Sequence, residues 1–430
     1  MPSRFLVLLF FLFFFFFFER SRRHGAVQKI DGVLGKEVRR MEISHVSSFQ
    51  RFCEQRMQLR WRLASMEDER QAPQISAGTV AEAVGFMGAL GLGSLLQCDQ
   101  QLRTDVGQHW FGQASPVVSD TTMSRSLEGM QLDPIRSMLV SAYHVGRRAG
   151  LSKWDGVLGK HRVGIVDGTG FGPYMASCLE IGGQSALLLD MEPIPKRGKE
   201  LPASHALLRR VKTALGPGCL DLVLGDGLYV NAPFFTLCLE ELQCDVLVKT
   251  DDARRDVIVD AMGLFRAPSG RVDGIVRVDG TDVDRRCTYQ VTMASGFEME
   301  GVKDPVWVVW IRETYLKKSF NVEFWVIFTQ RYGPGLTSEE AREFGHLRWD
   351  VENHGFKEFN QTMHSKHRYS QQPQVMAPIE LLLSLIFMLL QVFLSDLQGR
   401  LSNAYPGMKR TRRFLYREIR KALEHPTSPG

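Results

Sequence analysis

From Arg162 to Lys249 the spacing of apolar residues switches repeatedly between strand and helix character, and the order of the switches limits the fold more than any other feature. Val163, Ile165 and Val166 form a short strand-like run that ends at Asp167-Gly168. Two more such runs, 174–181 and 186–194, follow it, with Gly182-Gly183 as a turn between them. Pro202 to Leu215 then takes a helical period. Leu207, Leu208, Val211 and Leu215 fall on one side, Arg209, Arg210 and Lys212 on the other, and Gly216-Pro217-Gly218 stops the run. Residues 221–225 return to strand character and close on Asp226-Gly227; 232–242 is helical and 245–249 a fifth strand. The order β-β-β-α-β-α-β predicts an α/β domain in which an antiparallel meander is followed by helix-linked parallel strands.

That order is the one found in ribonuclease-H-like folds, a mixed sheet flanked by helices. There the first and fourth strands are neighbours, so the ends carrying Asp167 and Asp226 are expected within side-chain reach of each other. Taken singly, each aspartate reads equally as a hairpin-turn residue, because Asp-Gly is a favoured turn dipeptide. Glu180, Asp190 and Glu192 stay open as alternative ligands. Gly168-x-Gly170-x-Gly172 lacks the spacing of a dinucleotide loop and runs into a strand, so it is set aside. A third carboxylate comes from a helical run that opens at Thr337-Ser338-Glu339-Glu340, with acids at its positive end. Arg348 and Glu352 lie four apart, on one helix face, with His354 and Lys357 just beyond. An ordinary surface ion pair is the alternative reading. If Asp167, Asp226 and Glu352 meet, the chemistry is metal-dependent cleavage of DNA phosphodiesters.

The flanks are less specific. Residues 46–150 read as short helices. Asp120 is expected to cap one that carries Arg125, and Pro134 opens the next. Arg125 with the hydroxyls of Thr121, Thr122 and Ser124 would suit DNA phosphates, although a helical lead-in without a ligand reads the same way. Residues 251–337 are expected to form a β-rich insertion, with Trp307, Trp310 and Trp325 as core. Pro378 to Leu397 is apolar enough for a core helix packed on the sheet. From 401 the tail is basic, a solvated helix or a nonspecific contact to DNA backbone.

At the other end, the apolar run Phe5–Phe18 is shorter than the roughly 18–20 residues of a membrane span, and charged residues rather than a small-x-small cleavage site follow it. Residues 1–45 are expected outside the fold, upstream of a later start such as Met41, Met57 or Met66; a signal or membrane anchor is the alternative. The seven scattered cysteines contain no Cys-x-x-Cys, which argues against a zinc site or a disulfide framework and for a reducing cytoplasm. A net charge of +5 permits a polyanionic partner without requiring one.

Val166-Asp167-Gly168-Thr169, Gly225-Asp226-Gly227-Leu228-Tyr229 and Arg348-Trp349-Asp350-Val351-Glu352-Asn353-x-Gly355-Phe356-Lys357 resemble the acidic motifs of DDE transposases of bacterial insertion sequences, nearest the IS4-like group. The similarity covers about 75–400. The family signature is Tyr, two residues, Arg, three residues, Glu, six residues, Lys. Arg348 and Glu352 match it; Gly345 stands at the Tyr position and Phe359 at the Lys position, with Lys357 the nearest replacement. The resemblance implies a catalytic domain over 151–400 and a DNA-binding domain over 46–150. It implies two Mg²⁺ or Mn²⁺ ions held by Asp167, Asp226 and Glu352, and strand cleavage followed by strand transfer. DNA contacts would come from Arg348, Lys357, His354, Arg125, Arg209 and Arg210. Double-stranded DNA and a second copy of the chain are the implied partners, with no stable membrane partner. A ribonuclease-H-like nuclease that only hydrolyses, and a degenerate transposase that binds DNA without cutting, are the competing expectations.

Overall fold

The computed structural model describes residues 48–404 apart from 112–116, 154–158, 172–173, 182–186, 195, 197, 267–273, 317–319, 351–356 and 366. The apolar run Phe5–Phe18, the Gly182-Gly183 turn, Glu352, Asn353, His354 and the basic tail from Lys409 therefore lie outside the described residues.

The strand-like runs become β1 (Val163–Phe171), β2 (Tyr174–Ile181), β3 (Leu187–Pro193), β4 (Leu222–Gly225) and β5 (Asp245–Thr250). β1–β2 and β2–β3 pair antiparallel, and β1–β4 and β4–β5 pair parallel, as the periodicity predicts. The strands expected in a separate insertion are β6 (Val276–Asp282), β7 (Cys287–Phe297), β8 (Val306–Tyr315) and β9 (Phe320–Phe328). They do not form a sheet of their own. β9 pairs antiparallel with β5, and the result is one mixed nine-stranded sheet in the order β3-β2-β1-β4-β5-β9-β8-β7-β6. Trp310 and Trp325 are buried and stack at 5.3 Å between ring centroids, and Trp307 stacks on Phe328, so all three tryptophans serve the core.

Helices cover the sheet. In the lead-in they are α1 (48–57), α2 (Leu59–Ala64), α3 (Ala77–Leu90), α4 (Leu95–Leu102), α5 (Asp105–Phe111), α6 (Asp120–Glu128) and α7 (Leu132–Arg148). Gln58, in the left-handed region at φ 51°, breaks the first run in two. Ser76 caps α3 by accepting from the Thr79 amide. The cap of α6 is Ser119, one residue before the expected Asp120, because its hydroxyl reaches the Thr122 amide. Among the elements that follow are α8 (Glu200–Leu215), α9 (Ala232–Thr236), α10 (Asp256–Arg266), α11 (Ser338–Asp350), α12 (Lys357–Met363) and α13 (Pro373–Ala404).

α13 is the centre of the packing. Among the described residues it contains the one helix long and apolar enough to cross a membrane, Pro373–Gln398, and that stretch is buried inside the protein as a core helix. Its partners include α3, α6, α7, α12 and β3. Gly88 of α3 lets the two helices touch closely; a Cβ there would stand 2.8 Å from Leu383 Cδ2. Phe49 and Phe52 pack on Phe393. The helices of the lead-in thus share one hydrophobic core with the sheet.

Candidate active site

The parallel pairing of β1 with β4 sets the site. Gly164 lies beside Val223 and Ile165 beside Leu224. Two residues further along each chain stand Asp167, midway along β1 rather than at its expected end because pairing with β2 carries the strand on to Phe171, and Asp226, one residue past β4; with strands spaced about 4.8 Å apart, the continued register sets the two side by side. The pairing of β4 with β5 ends at Gly225 beside Val248. The two chains stay side by side for two more residues, since a Cβ on Gly227 would lie 2.8 Å from Thr250 Oγ1. Lys249 is therefore the neighbour of Asp226, and it pairs in turn with Val326 of β9. Asp167, Asp226, Lys249 and Val326 form one row across four strands.

Local chemistry holds each member in place. Asp167 is buried. Asp226 caps a tight turn, its Oδ1 accepting from the Leu228 amide at 2.9 Å while its carbonyl accepts from the Tyr229 amide. Arg255 donates to the carbonyls of Gly227 and Val230 (2.9 and 3.4 Å), which pins the turn from the far side. The Lys249 ammonium lies 4.1 Å from the centre of the buried Phe324 ring.

On the reverse face the glycines of the two motifs make room for a polar support. A Cβ on Gly225 would meet the Tyr229 ring at 2.9–3.0 Å, and one on Gly168 would meet the Glu200 carboxyl at 2.4 Å. The Tyr229 hydroxyl donates to Glu200 at 3.0 Å and lies 2.9 Å from Ser204. Burial, then the Glu200 charge, pushes its pKa up, so it stays a donor.

α11 crosses the face that carries the two aspartates. It starts where Lys160, just before β1, binds Glu340 at 2.7 Å, and Gly345 rests against Phe324 and Val326. Its side facing β8 is locked by buried charge. Arg342 and His346 reach Glu313 at 2.6 and 2.7 Å, and Arg342 also binds Asp282 and Glu343. Burial alone would raise Glu313, but the hydrogen bond and charge of His346 and the charge of Arg342 outweigh it and hold the carboxyl at about 2.

The structure thus brings Asp167 and Asp226 together and leads α11 over them to Asp350, two residues before Glu352. Among the described residues no group of three or more His, Cys, Asp or Glu side chains is arranged to hold a metal ion. The donor chemistry of the pair still suits one: two carboxylates on adjacent strands are the hard oxygen ligands that Mg²⁺ or Mn²⁺ takes. Of the expected DNA contacts, Lys357 is exposed at the start of α12 and Arg125 is exposed on α6. Arg348 lies on α11. Arg209 and Arg210 are not brought to the site. They sit on α8, over the reverse face, where Arg209 binds Glu241 and Arg210 binds Asp190 and Glu192. Those pairs also account for Asp190 and Glu192, the alternative ligands. Lys249, Arg255 and the Glu313 network escaped the sequence reading. For Lys249 the signal is its place at the end of the strand after the Asp226 motif.

No family model matches this chain, and no curated protein matches it.

Proposed function

We propose that the chain is a DDE-type transposase with a ribonuclease-H-like catalytic core, cutting and joining double-stranded DNA. One observation carries the reading: β1 and β4 pair in parallel up to Ile165 beside Leu224, which puts Asp167, midway along β1, and Asp226, one residue past β4, the same two residues further along neighbouring chains, within a sheet whose first five strands run 3-2-1-4-5. A meander followed by two helix-linked parallel strands is the ribonuclease-H-like order. α11 supports the same reading, because it crosses the aspartate face and precedes Glu352 directly in sequence.

In this reading Asp167, Asp226 and Glu352 hold two divalent cations, Mg²⁺ or Mn²⁺. Such ions supply charge neutralisation at the attacking and leaving oxygens of a phosphodiester. The chain itself fixes the carboxylates. Sheet register sets Asp167, the capped turn with Arg255 sets Asp226, and the Glu313 network sets the helix that leads to Glu352. In the first step a water oxygen bonds to phosphorus, the P–O3′ bond breaks, and the 3′ oxygen leaves as an alcohol with the proton that water gives up. In the second, that 3′-OH attacks a phosphodiester of target DNA and displaces its 3′ oxygen in turn. Lys357, Arg348, His354 and Arg125 are the candidate phosphate contacts. The protein works on DNA in the cytoplasm, as a dimer that holds two element ends.

The test uses linear DNA carrying any inverted repeats found on either side of the coding sequence, with Mg²⁺ or Mn²⁺. Asp167→Asn, Asp226→Asn and Glu352→Gln should each abolish cleavage and leave DNA retention in a gel-shift unchanged. An active Asp226→Asn protein ends the assignment. Cleavage without joined products would reduce the activity to that of a hydrolytic nuclease. DNA retention without cleavage would leave a DNA-binding protein only.

A further inference from the structure

We propose that Lys249 contacts the scissile phosphate in this site; the proposal rests on the reading of Asp167 and Asp226 as the acid pair. Position 359 cannot serve. Phe359 is 1% exposed, and its ring packs edge-on against Phe387 of the core helix at 5.2 Å. A cation is nonetheless built into the acid row. Gly225 beside Val248, and Gly227 against Thr250, place Lys249 next to Asp226 on the face that α11 covers.

Three features suit Lys249 to a phosphate. Its backbone pairs with Val326 of β9 and directly follows Val248, the last residue of β5 paired with β4, so its stem starts from a rigid point. The Phe324 ring lies beneath the ammonium and steadies it. Its place one strand from Asp226 would bring the ammonium near a phosphate held at the aspartate pair. There a fixed cation offsets the negative charge that builds in the transition state.

The same position makes a second effect follow. A fixed positive charge beside two carboxylates opposes a divalent cation, so removing it strengthens metal binding. At a separation of one or two strands in a solvent-accessible site, Coulomb's law gives a change of about five-fold.

Lys249→Gln, Lys249→Arg and Asp226→Asn proteins, with wild type, are compared in three measurements. These are Mn²⁺ binding followed by electron paramagnetic resonance, single-turnover cleavage of inverted-repeat DNA, and thermal unfolding. Lys249→Gln should bind Mn²⁺ about five-fold more tightly and cleave about 10²–10³-fold more slowly, and Lys249→Arg should restore both toward wild type. Asp226→Asn should lose both. If Lys249→Gln changes neither Mn²⁺ affinity nor cleavage while Asp226→Asn loses both, the acid site stands and Lys249 is excluded from it. A Lys249→Gln protein that only melts earlier assigns the residue to packing on Phe324 and also overturns the proposal. A wild-type protein that neither binds Mn²⁺ nor cleaves removes the acid site, and Lys249 with it.

Discussion

Glu380 is an acid in the middle of the core helix, and its setting gives a sharp expectation. It has no exposed surface, and neither carboxyl oxygen has a hydrogen-bond partner. The polar residues on its own face of α13 are engaged elsewhere. Ser384 donates to the backbone carbonyl of Glu380 at 2.7 Å, and Gln391 reaches Glu358 of α12 at 3.1 Å. Burial therefore raises its pKa well above the ordinary carboxylate range, and the folded protein carries it as the neutral acid past the pH at which an exposed glutamate ionises. Two costs follow. A buried polar group without a partner costs about 1–3 kcal/mol. In addition, the unfolded chain releases this proton near pH 4.3 while the folded chain retains it. Stability is thus highest below that pH and falls by about 1.4 kcal/mol per pH unit until the folded pKa is reached.

Glu380→Met keeps the length of the side chain and removes both costs; Glu380→Gln removes only the second. In urea unfolding at pH 5, 6 and 7, the Met protein should be the more stable by about 1–3 kcal/mol from the polar cost alone. Its advantage should grow by about 1.4 kcal/mol per unit as the pH rises. The Gln protein should share the growth but not the offset. A Met protein less stable than wild type, or an advantage that does not change with pH, would refute the reasoning, because either result requires a partner for the carboxyl inside the fold.

Other expectations are shorter. Arg342→Met leaves Glu313 buried with one partner fewer and should cost about 3–5 kcal/mol by denaturant titration. Because Glu313 is held at about 2, its contribution is present above its unfolded pKa near 4.3 and is lost as pH falls toward 2. Glu313→Gln should therefore flatten the acid limb of the stability profile by about 3 kcal/mol. Gly225→Ala drives a Cβ into the Tyr229 ring. It should cost about 1–3 kcal/mol and slow the DNA cleavage proposed above, since Tyr229 belongs to the turn that Asp226 caps. Phe359→Lys, which restores the signature lysine, should gain no activity and lose roughly 3 kcal/mol or more, because it buries a charge among the helices of the core.

Much of the site's scaffold is legible in the chain, for reasons that can be named. Alternation at Val163–Val166 and helical spacing at Leu207–Leu215 differ in period, so the order of strands and helices can be read directly, and with it the closeness of Asp167 and Asp226. What lay hidden depends on pairings between distant segments. The strands after Asp251 read as a β-rich insertion, and strand periodicity does not say which other strand each one joins; that β9 adds to β5 emerges only from the register of Lys249 with Val326. Lys249 itself is an ordinary strand-end lysine until Asp226 is placed beside it. The polar side of α8 looks like a DNA surface because the carboxylates that engage Arg209 and Arg210 lie on β3 and near position 241. Asp120 and Ser119 are both good caps, and side-chain reach decided between them.

Local packing accounts for each of the two departures from the signature. A tyrosine at 345 needs volume that Phe324 and Val326 fill, since even a Cβ there would stand 2.9 Å from the Phe324 ring and 3.1 Å from Val326. A lysine at 359 needs solvent that Phe387 excludes. Gly345 brings α11 down onto β9, and Phe324, the residue it rests on, is also the ring under Lys249. The helix that leads to Glu352 and the lysine beside Asp226 are thus referenced to one aromatic side chain. Phe324→Ala should therefore disturb both. It opens space for a side chain at 345 and removes the surface that steadies the ammonium. Gly345→Ala, which should cost about 1–3 kcal/mol alone, should cost markedly less in the Phe324→Ala background, a coupling that a double-mutant cycle measures. Independent costs for the two substitutions would show that Phe324 does not set the height of α11 above the sheet.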